Sequence, residues 1–148
     1  MKSVCHTSVQ SPSLSLVKSI CYPEKNSLRV PAVMWGLEHE QTAFEAYKAK
    51  EATKHQNFEC YRSGLHLSVA YPFIGATPDD ITSCSCCGRG VVEFTCPFLL
   101  RDAQDITTSI SCLSYTGGKL QLLHNHAYYH QIQTQMTVCH VDFCDFVV

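Results

Sequence analysis

Residues 90–97, Gly-Val-Val-Glu-Phe-Thr-Cys-Pro, form a run of β-forming apolar residues that is interrupted by one acidic side chain, Glu93. Successive residues of a strand point to opposite faces of a sheet, so Glu93 shares a face with Thr95. Val92 and Phe94 then point to the other face. Burying an unpaired carboxylate in such a run costs several kcal/mol. The stretch therefore predicts a partner for Glu93, which is a metal ion, a basic residue or a set of hydrogen-bond donors.

Length and composition indicate one globular domain. The chain has 148 residues, of which 45% are hydrophobic and 16% charged, and this length is sufficient to bury a core. With 11 basic and 13 acidic residues the net charge is −2. A dedicated nucleic-acid binder is usually basic, so any phosphate-binding surface here must be local.

The chain carries no sign of a membrane segment or a secretory signal. No apolar run approaches the roughly 18 residues of a membrane-spanning helix, and residues 1–20 lack the apolar centre of a signal peptide. We therefore expect an intracellular protein with no membrane partner. Its ten cysteines are then expected to be reduced thiols.

The hydrophobic pattern predicts a mixed α/β domain with a central sheet. Residues 1–34 are polar and interrupted by prolines, and we interpret them as a lead-in, partly irregular, to a domain at 35–148. A short amphipathic piece is expected at 14–20, helices at 35–52, 97–104 and 126–138, and strands at 58–61, 64–71, 90–97, 120–123 and 141–148. Residues 73–81 are expected to form a strand that leads into a turn, in which Asp80 is a solvated turn residue.

Asp79 and Glu93 are candidate ligands of a divalent cation. Adjacent antiparallel strands can bring the two carboxylates close enough to share an ion. Together with the backbone carbonyl of Phe94 and water, they would form the oxygen site that Mg²⁺ or Mn²⁺ prefers. Such an ion supports hydrolysis of a phosphodiester.

Four sequence blocks occur in order along the chain. They are Trp35-Gly36-x-x-x-Glu40, Gly75-Ala76-Thr77-Pro78-Asp79, Cys86-Cys87-Gly88-x-Gly90-Val-Val-Glu93-x-x-Cys96-Pro97 and His126-x-Tyr128-Tyr129-x-Gln131-x-Gln133-x-Gln135-Met136. Together they resemble the YqaJ-type viral recombinase domain, which is related to lambda exonuclease and belongs to the PD-(D/E)XK nuclease superfamily. The resemblance implies an α/β restriction-endonuclease-like core, with a central mixed sheet flanked by helices.

The same resemblance implies a function and roles for individual residues. It implies a Mg²⁺-dependent exonuclease that acts 5′ to 3′ on the ends of double-stranded DNA, together with a single-strand annealing protein and as a homo-oligomer. Nuclear residence is a hypothesis that follows from this DNA-related resemblance alone. Carried onto this sequence, Glu40 is the helix carboxylate of the site and Asp79 and Glu93 are metal ligands. Gln131, with Tyr129, orders the nucleophilic water or the DNA backbone.

The sequence departs from the family pattern at the site itself. The family strand reads Glu-x-Lys-Cys-Pro, and the lysine position is Thr95 here. Loss of that cation is expected to reduce the rate by about 10² to 10³, as for removal of one transition-state donor. The family's Pro-Asp-Gly is Pro-Asp-Asp at 78–80, which adds a side chain and a negative charge. Arg89 or Arg101 would have to reach the site to replace the lysine.

The chain also lacks segments that family members carry. An N-terminal helix with an Arg and a Thr-Ala-Ser motif is not recognisable before Trp35, and other members continue beyond the position of Val148. Truncation at both ends and the lost lysine are both expected of a partial gene product.

Three alternatives follow from the residues. The first is an inactive DNA-binding or interaction module that has kept the nuclease fold, and in the second Glu93 pairs with Arg89 or Lys119 at a strand end. The third is a zinc or iron–sulfur site built from cysteines 84, 86, 87 and 96, against which a thiol-rich turn is the favoured interpretation. His126 and His130 are expected on an exposed helix face, and the glutamines at 131, 133 and 135 are also typical of a polar helix face.

Overall fold

The computed structural model describes residues 11, 13–21, 30–102 and 110–148 of the chain. Within these ranges lie helices α1 (Leu14–Cys21), α2 (Pro31–Ala52) and α3 (Ala127–Cys139), and a 3₁₀ turn (Phe98–Leu100). The strands are β1 (Glu59–Arg62), β2 (His66–Leu67), β3 (Gly75–Ala76), β4 (Asp80–Cys84), β5 (Gly88–Phe94), β6 (Leu113–Thr116), β7 (Lys119–Leu122) and β8 (Cys144–Val147).

A four-stranded mixed sheet forms the centre of the domain. Its strand order is β1-β4-β5-β8, in which β1, β4 and β5 are antiparallel and β8 runs parallel to β5. The chain returns to this parallel edge through α3, as parallel pairing requires a crossover connection. Two smaller pairs, β2 with β3 and β6 with β7, complete the strands. The predicted α/β class, a restriction-endonuclease-like core with a mixed sheet and helices, is confirmed.

The two faces of the central sheet are covered by different helices. On one face Phe44 and Tyr47 of α2 pack against Val92 and Phe94, and the rings of Tyr47 and Phe94 meet edge to face at 5.7 Å. On the other face Val91 packs with residues at the end of α3. The predicted alternation along residues 90–97 is therefore confirmed, and it explains why β5 is apolar on both sides.

Helix α2 begins four residues before the predicted start at Trp35. Pro31 occupies its first position, where the missing proline N–H has no intrahelical partner to lose and the fixed φ suits the helix. Of the apolar stripe expected on this helix, Phe44 and Tyr47 are buried but Leu37 is 64% exposed. The Tyr47 hydroxyl donates to Asp145 Oδ2 at 2.6 Å, so that a side-chain hydrogen bond links α2 to β8.

Two predicted features of residues 64–84 are wrong. The strand expected at 64–71 is reduced to the two residues of β2. Asp80 is not a solvated turn residue but the fully buried first residue of β4. The reason is that β4 lies inside the sheet, where Asp80 pairs with Arg62 of β1 on one side and Val92 of β5 on the other.

The remaining elements follow the sequence more closely. Helix α3 and strands β1, β7 and β8 occur where a helix and strands were predicted, and the amphipathic piece expected at 14–20 is helix α1. The helix expected at 97–104 is only the 3₁₀ turn over its described part, and residues 103–109 lie outside the described residues. Strand β6 was not predicted; it pairs with β7 across Gly117 and Gly118, which both have positive φ. Among the described helices, none has the length and apolar character that crossing a membrane requires.

We predict opposite effects for alanine at two glycines. A Cβ at Gly90 in β5 would collide with the ring of Phe143, so Gly90→Ala should destabilise the fold by about 1–3 kcal/mol. A Cβ at Gly36 in α2 meets no atom within 4 Å, so Gly36→Ala should stabilise it by about 0.5–1 kcal/mol. Chemical denaturation of both variants measures the difference, and equal effects at the two positions would contradict the packing described here.

Candidate active site

Asp79 and Glu93 face each other across strands β4 and β5. The register pairs Asp80 with Val92, so that one step further Asp79 lies opposite Glu93. Directly opposite residues of antiparallel strands project to the same face. Asp79 Oδ2 also accepts a hydrogen bond of 2.8 Å from the amide of Phe94. The structure thus brings the two predicted carboxylates together on the face that α3 covers.

Two glutamines of α3 bind the Glu93 carboxylate. Gln131 Nε2 donates to Glu93 Oε1, and Gln135 Nε2 donates to Glu93 Oε2 at 2.7 Å. Residues four apart share one face of a helix, which allows both amides to reach the same carboxylate. Gln131 was predicted as a site residue and Gln135 was not, although their i, i+4 spacing was visible in the sequence. Neither Arg89 nor Lys119 is the partner of Glu93, so the predicted alternative pairing is wrong.

Asp79, Glu93 and Glu40 form an acidic group, and the surroundings of Asp79 and Glu93 disfavour their charged forms. The pKa of Glu93 is raised to about 7, chiefly by burial and in part by the negative charges of Asp79 and Glu40, against the opposing effect of the glutamine donors. Burial is also the largest cause of the raised pKa of Asp79, and the charge of Glu40 adds to it. Glu40 of α2 is therefore near enough to act on both. When ionised, these three carboxylates carry more negative charge than the described cations around them offset.

Arg62 is the cation that contacts Glu40 and Asp80. It was not identified from the sequence as a site residue. Its Nη1 donates to Glu40 Oε1 at 2.9 Å and to Asp80 Oδ2 at 3.4 Å, and its guanidinium lies 4.9 Å from the centroid of the Phe44 ring. It lowers the pKa of Asp79 in opposition to burial. Because Asp80 shares a face with Val92, these contacts lie on the α2 side of the sheet.

The two arginines proposed as replacements for the family lysine lie elsewhere. Arg89 pairs with Ser83 at the opposite end of β5. Arg101 contacts Asp102 at 3.2 Å and stacks on Phe98 at 4.2 Å. These contacts place neither arginine at Asp79 or Glu93, so the replacement of the lysine that the sequence left open is not seen.

Thr95, at the position of the family lysine, lies on the same face as Glu93. Its Oγ1 is 3.3 Å from the hydroxyl of Tyr128. Tyr129 instead stacks on His124, with ring centroids 4.3 Å apart, so that Tyr128 is the tyrosine next to this position. His126 caps α3 by accepting from the Tyr128 amide through Nδ1, which removes that nitrogen from any pairing with His130.

The residues present fit a hard divalent cation. The donors that converge are carboxylate oxygens, as Mg²⁺ and Mn²⁺ prefer. Among the described residues, two buried oxygens in this region, Asp80 Oδ1 and Gln135 Oε1, accept no hydrogen bond. The Phe94 ring lies in the core, while its carbonyl as a third ligand stays a prediction.

Comparison with known proteins adds one finding. A model of the YqaJ-like viral recombinase domain family matches residues 1–142, which is nearly the whole chain and includes the predicted lead-in at 1–34. No curated protein gives a significant match.

We predict that Glu93→Gln changes how stability depends on pH in metal-free protein. The pKa of Glu93 is raised from 4.5 to about 7. The free energy of unfolding of the protein should therefore fall as pH rises from about 4.5 through 7. A neutral glutamine avoids this loss and should make the variant more stable above pH 7, by about 3 kcal/mol, with little difference from the unmodified protein below pH 5.

Denaturation in the presence of a chelator at pH 5, 6, 7 and 8 measures this difference. Glu38→Gln, which removes an exposed carboxylate from α2, is the matched control. Parallel pH profiles for Glu93→Gln and the unmodified protein would contradict the environment described for Glu93.

Proposed function

The chain belongs to the YqaJ-like viral recombinase domain family, and on that basis we propose that it is a metal-dependent exonuclease-like domain acting on double-stranded DNA ends in recombination or repair. The observation that carries this proposal is the facing pair of half-buried Asp79 and buried Glu93 on one side of the sheet, with Glu40 nearby. Hydrolysis is slow in this proposal because Thr95 stands at the lysine position.

Asp79 and Glu93 would hold Mg²⁺ or Mn²⁺, with the carbonyl of Phe94 as a third ligand. When bound there, the ion would polarise a phosphoryl oxygen and increase the acidity of a water molecule. A cation would also remove the repulsion that raises the pKa of both carboxylates.

The neighbouring residues position these ligands. Gln131 and Gln135 each hold one oxygen of Glu93, which defines the plane of that carboxylate, as residues behind a metal ligand commonly do. Glu40 binds Arg62 directly, and this ion pair keeps a cation next to the acidic group. Arg62 is 43% exposed, so it is also available to a DNA phosphate at the edge strand β1.

Thr95 limits the rate in this proposal. A lysine supplies a point cation that can orient water and offset phosphoryl charge, whereas a threonine hydroxyl is neutral. Its hydroxyl, with that of Tyr128 at 3.3 Å, could only donate or accept a neutral hydrogen bond. The expected loss is about 10² to 10³ in rate.

A second candidate function is a DNA-binding module without turnover. It is favoured by the replacement of the lysine, because Arg62 contacts Glu40 and Asp80 and no cation among the described residues contacts Asp79 or Glu93. A single-strand annealing partner, homo-oligomers and nuclear residence remain predictions from the resemblance.

We predict that linear duplex DNA is digested slowly by the unmodified protein in Mg²⁺ or Mn²⁺, and faster by Thr95→Lys by about 10² to 10³. Glu93→Gln should abolish digestion in both backgrounds, because it removes a ligand without removing volume. Release of labelled nucleotides measures the rate, and covalently closed circular DNA of the same sequence tests the need for an end.

Asp142→Asn is the matched control, since Asp142 is exposed and lies outside the site. Digestion that persists in Glu93→Gln would refute the metal site. Activity only in Thr95→Lys, with DNA binding by the unmodified protein, would establish the second candidate function instead.

A further inference from the structure

Three thiols and one imidazole converge at the end of the sheet away from the carboxylates. The ligand atoms of His55, Cys84, Cys86 and Cys87 all lie within 4.8 Å of one another. Cys84 ends β4, and the other two cysteines form the turn into β5. Cys84 follows Asp79 by five steps along the strand, or about 16 Å, so this cluster is distinct from the carboxylate group.

The separations match the edges of a tetrahedron around one zinc ion. With Zn–S of about 2.3 Å and Zn–N of about 2.0–2.1 Å, sulfur atoms should be about 3.8 Å apart and nitrogen about 3.5 Å from each sulfur. His55 Nδ1 lies 3.6, 3.2 and 3.6 Å from the sulfurs of Cys84, Cys86 and Cys87. The Cys86 sulfur lies 3.3 and 3.8 Å from those of Cys84 and Cys87.

Hydrogen bonds and disulfides do not account for this convergence. Nδ1 has one lone pair and can accept one S–H proton at most, yet three sulfurs surround it. The sulfur separations far exceed the roughly 2.05 Å of a disulfide bond, and all three cysteines are free thiols. One cation that accepts four electron pairs explains the whole set.

The surroundings of His55 have the form expected behind a metal ligand. Its Nε2 lies 3.4 Å from Glu51 Oε2, so the Nε2 proton can be donated to that carboxylate while Nδ1 keeps its lone pair for a metal. A carboxylate behind a ligating histidine is a recurrent arrangement in zinc sites. Phe58 stacks on the imidazole at 5.9 Å.

The backbone also supports the cluster. The Cys87 amide donates to Cys84 Sγ at 3.2 Å, which fixes the position of that sulfur in the turn. Ser85 N donates to Gln56 O at 2.9 Å and Asn57 Nδ2 to Ser85 Oγ at 2.9 Å. These bonds hold the segment after α2 against the β4–β5 turn.

We propose that His55, Cys84, Cys86 and Cys87 bind one structural Zn²⁺, which ties the end of α2 to the β4–β5 turn. The four residues occupy all four positions of a tetrahedron, so no position is left for substrate. Cys96, the fourth ligand suggested by the sequence, is not part of this site. It lies beyond the other end of β5, where its pKa is raised by burial and by the charges of Glu40 and Asp79.

Metal content of the full chain, purified without chelator, tests the proposal by elemental analysis. We expect one zinc per chain, at most a tenth of that in His55→Ala and Cys86→Ser, and full zinc in Cys96→Ser and Glu93→Gln. Glu93→Gln distinguishes the two sites. Loss of DNA hydrolysis with full zinc in this variant concerns the proposed function alone and leaves the zinc proposal standing.

Thiol alkylation read by mass spectrometry provides a test that needs no variant. Cysteines 84, 86 and 87 should be protected in the purified protein and become alkylated after chelation, whereas the exposed Cys21 should react in both states. Absence of zinc from folded protein, iron in its place, or zinc that is lost in Cys96→Ser but retained in His55→Ala would overturn the proposal.

Discussion

The antiparallel register of β4 against β5 is the constraint on which both candidate sites depend. It pairs Asp80 with Val92 and Cys84 with Gly88, so that Asp79 faces Glu93 at one end and the cysteine turn closes the other. A slip of one residue would move a whole strand's side chains to the opposite face. Burial of β5 on both faces prevents this, because each face is matched to a different helix.

The two buried acids at this end of the sheet are stabilised in different ways. Asp80 lies beside the edge strand β1, so a long cationic side chain can reach it from solvent, and Arg62 does so. Glu93 lies on β5, between β4 and β8 and beneath α3, and among the described residues its side-chain donors are two amides of that helix. Burial raises the pKa of both acids, and the opposing effect comes from the Arg62 cation at Asp80 and from the neutral glutamine amides at Glu93.

The two proposed metal sites differ in chemistry as well as position. The carboxylate group offers hard oxygen donors that suit Mg²⁺ or Mn²⁺, and the cysteine turn offers soft thiolates with one imidazole that suit Zn²⁺. A zinc ion at the closed end of the hairpin would hold the register that aligns Asp79 with Glu93 at the open end. The stability of the hairpin and the geometry of the acidic group are linked in this way.

The sequence by itself determined the strand around Glu93, the residues with which Glu93 shares a face, and the helices α2 and α3. These features depend on the two-residue period of a strand and the periodic burial of a helix, which are local properties. Only the tertiary structure decided which side chains contact Asp80, Glu93 and Cys86. Arg62 lies 18 residues from Asp80 and Gln135 lies 42 from Glu93, and His55 lies 31 from Cys86. Side chains so far apart in sequence meet only when packing sets strand order and helix rotation, which no local pattern encodes.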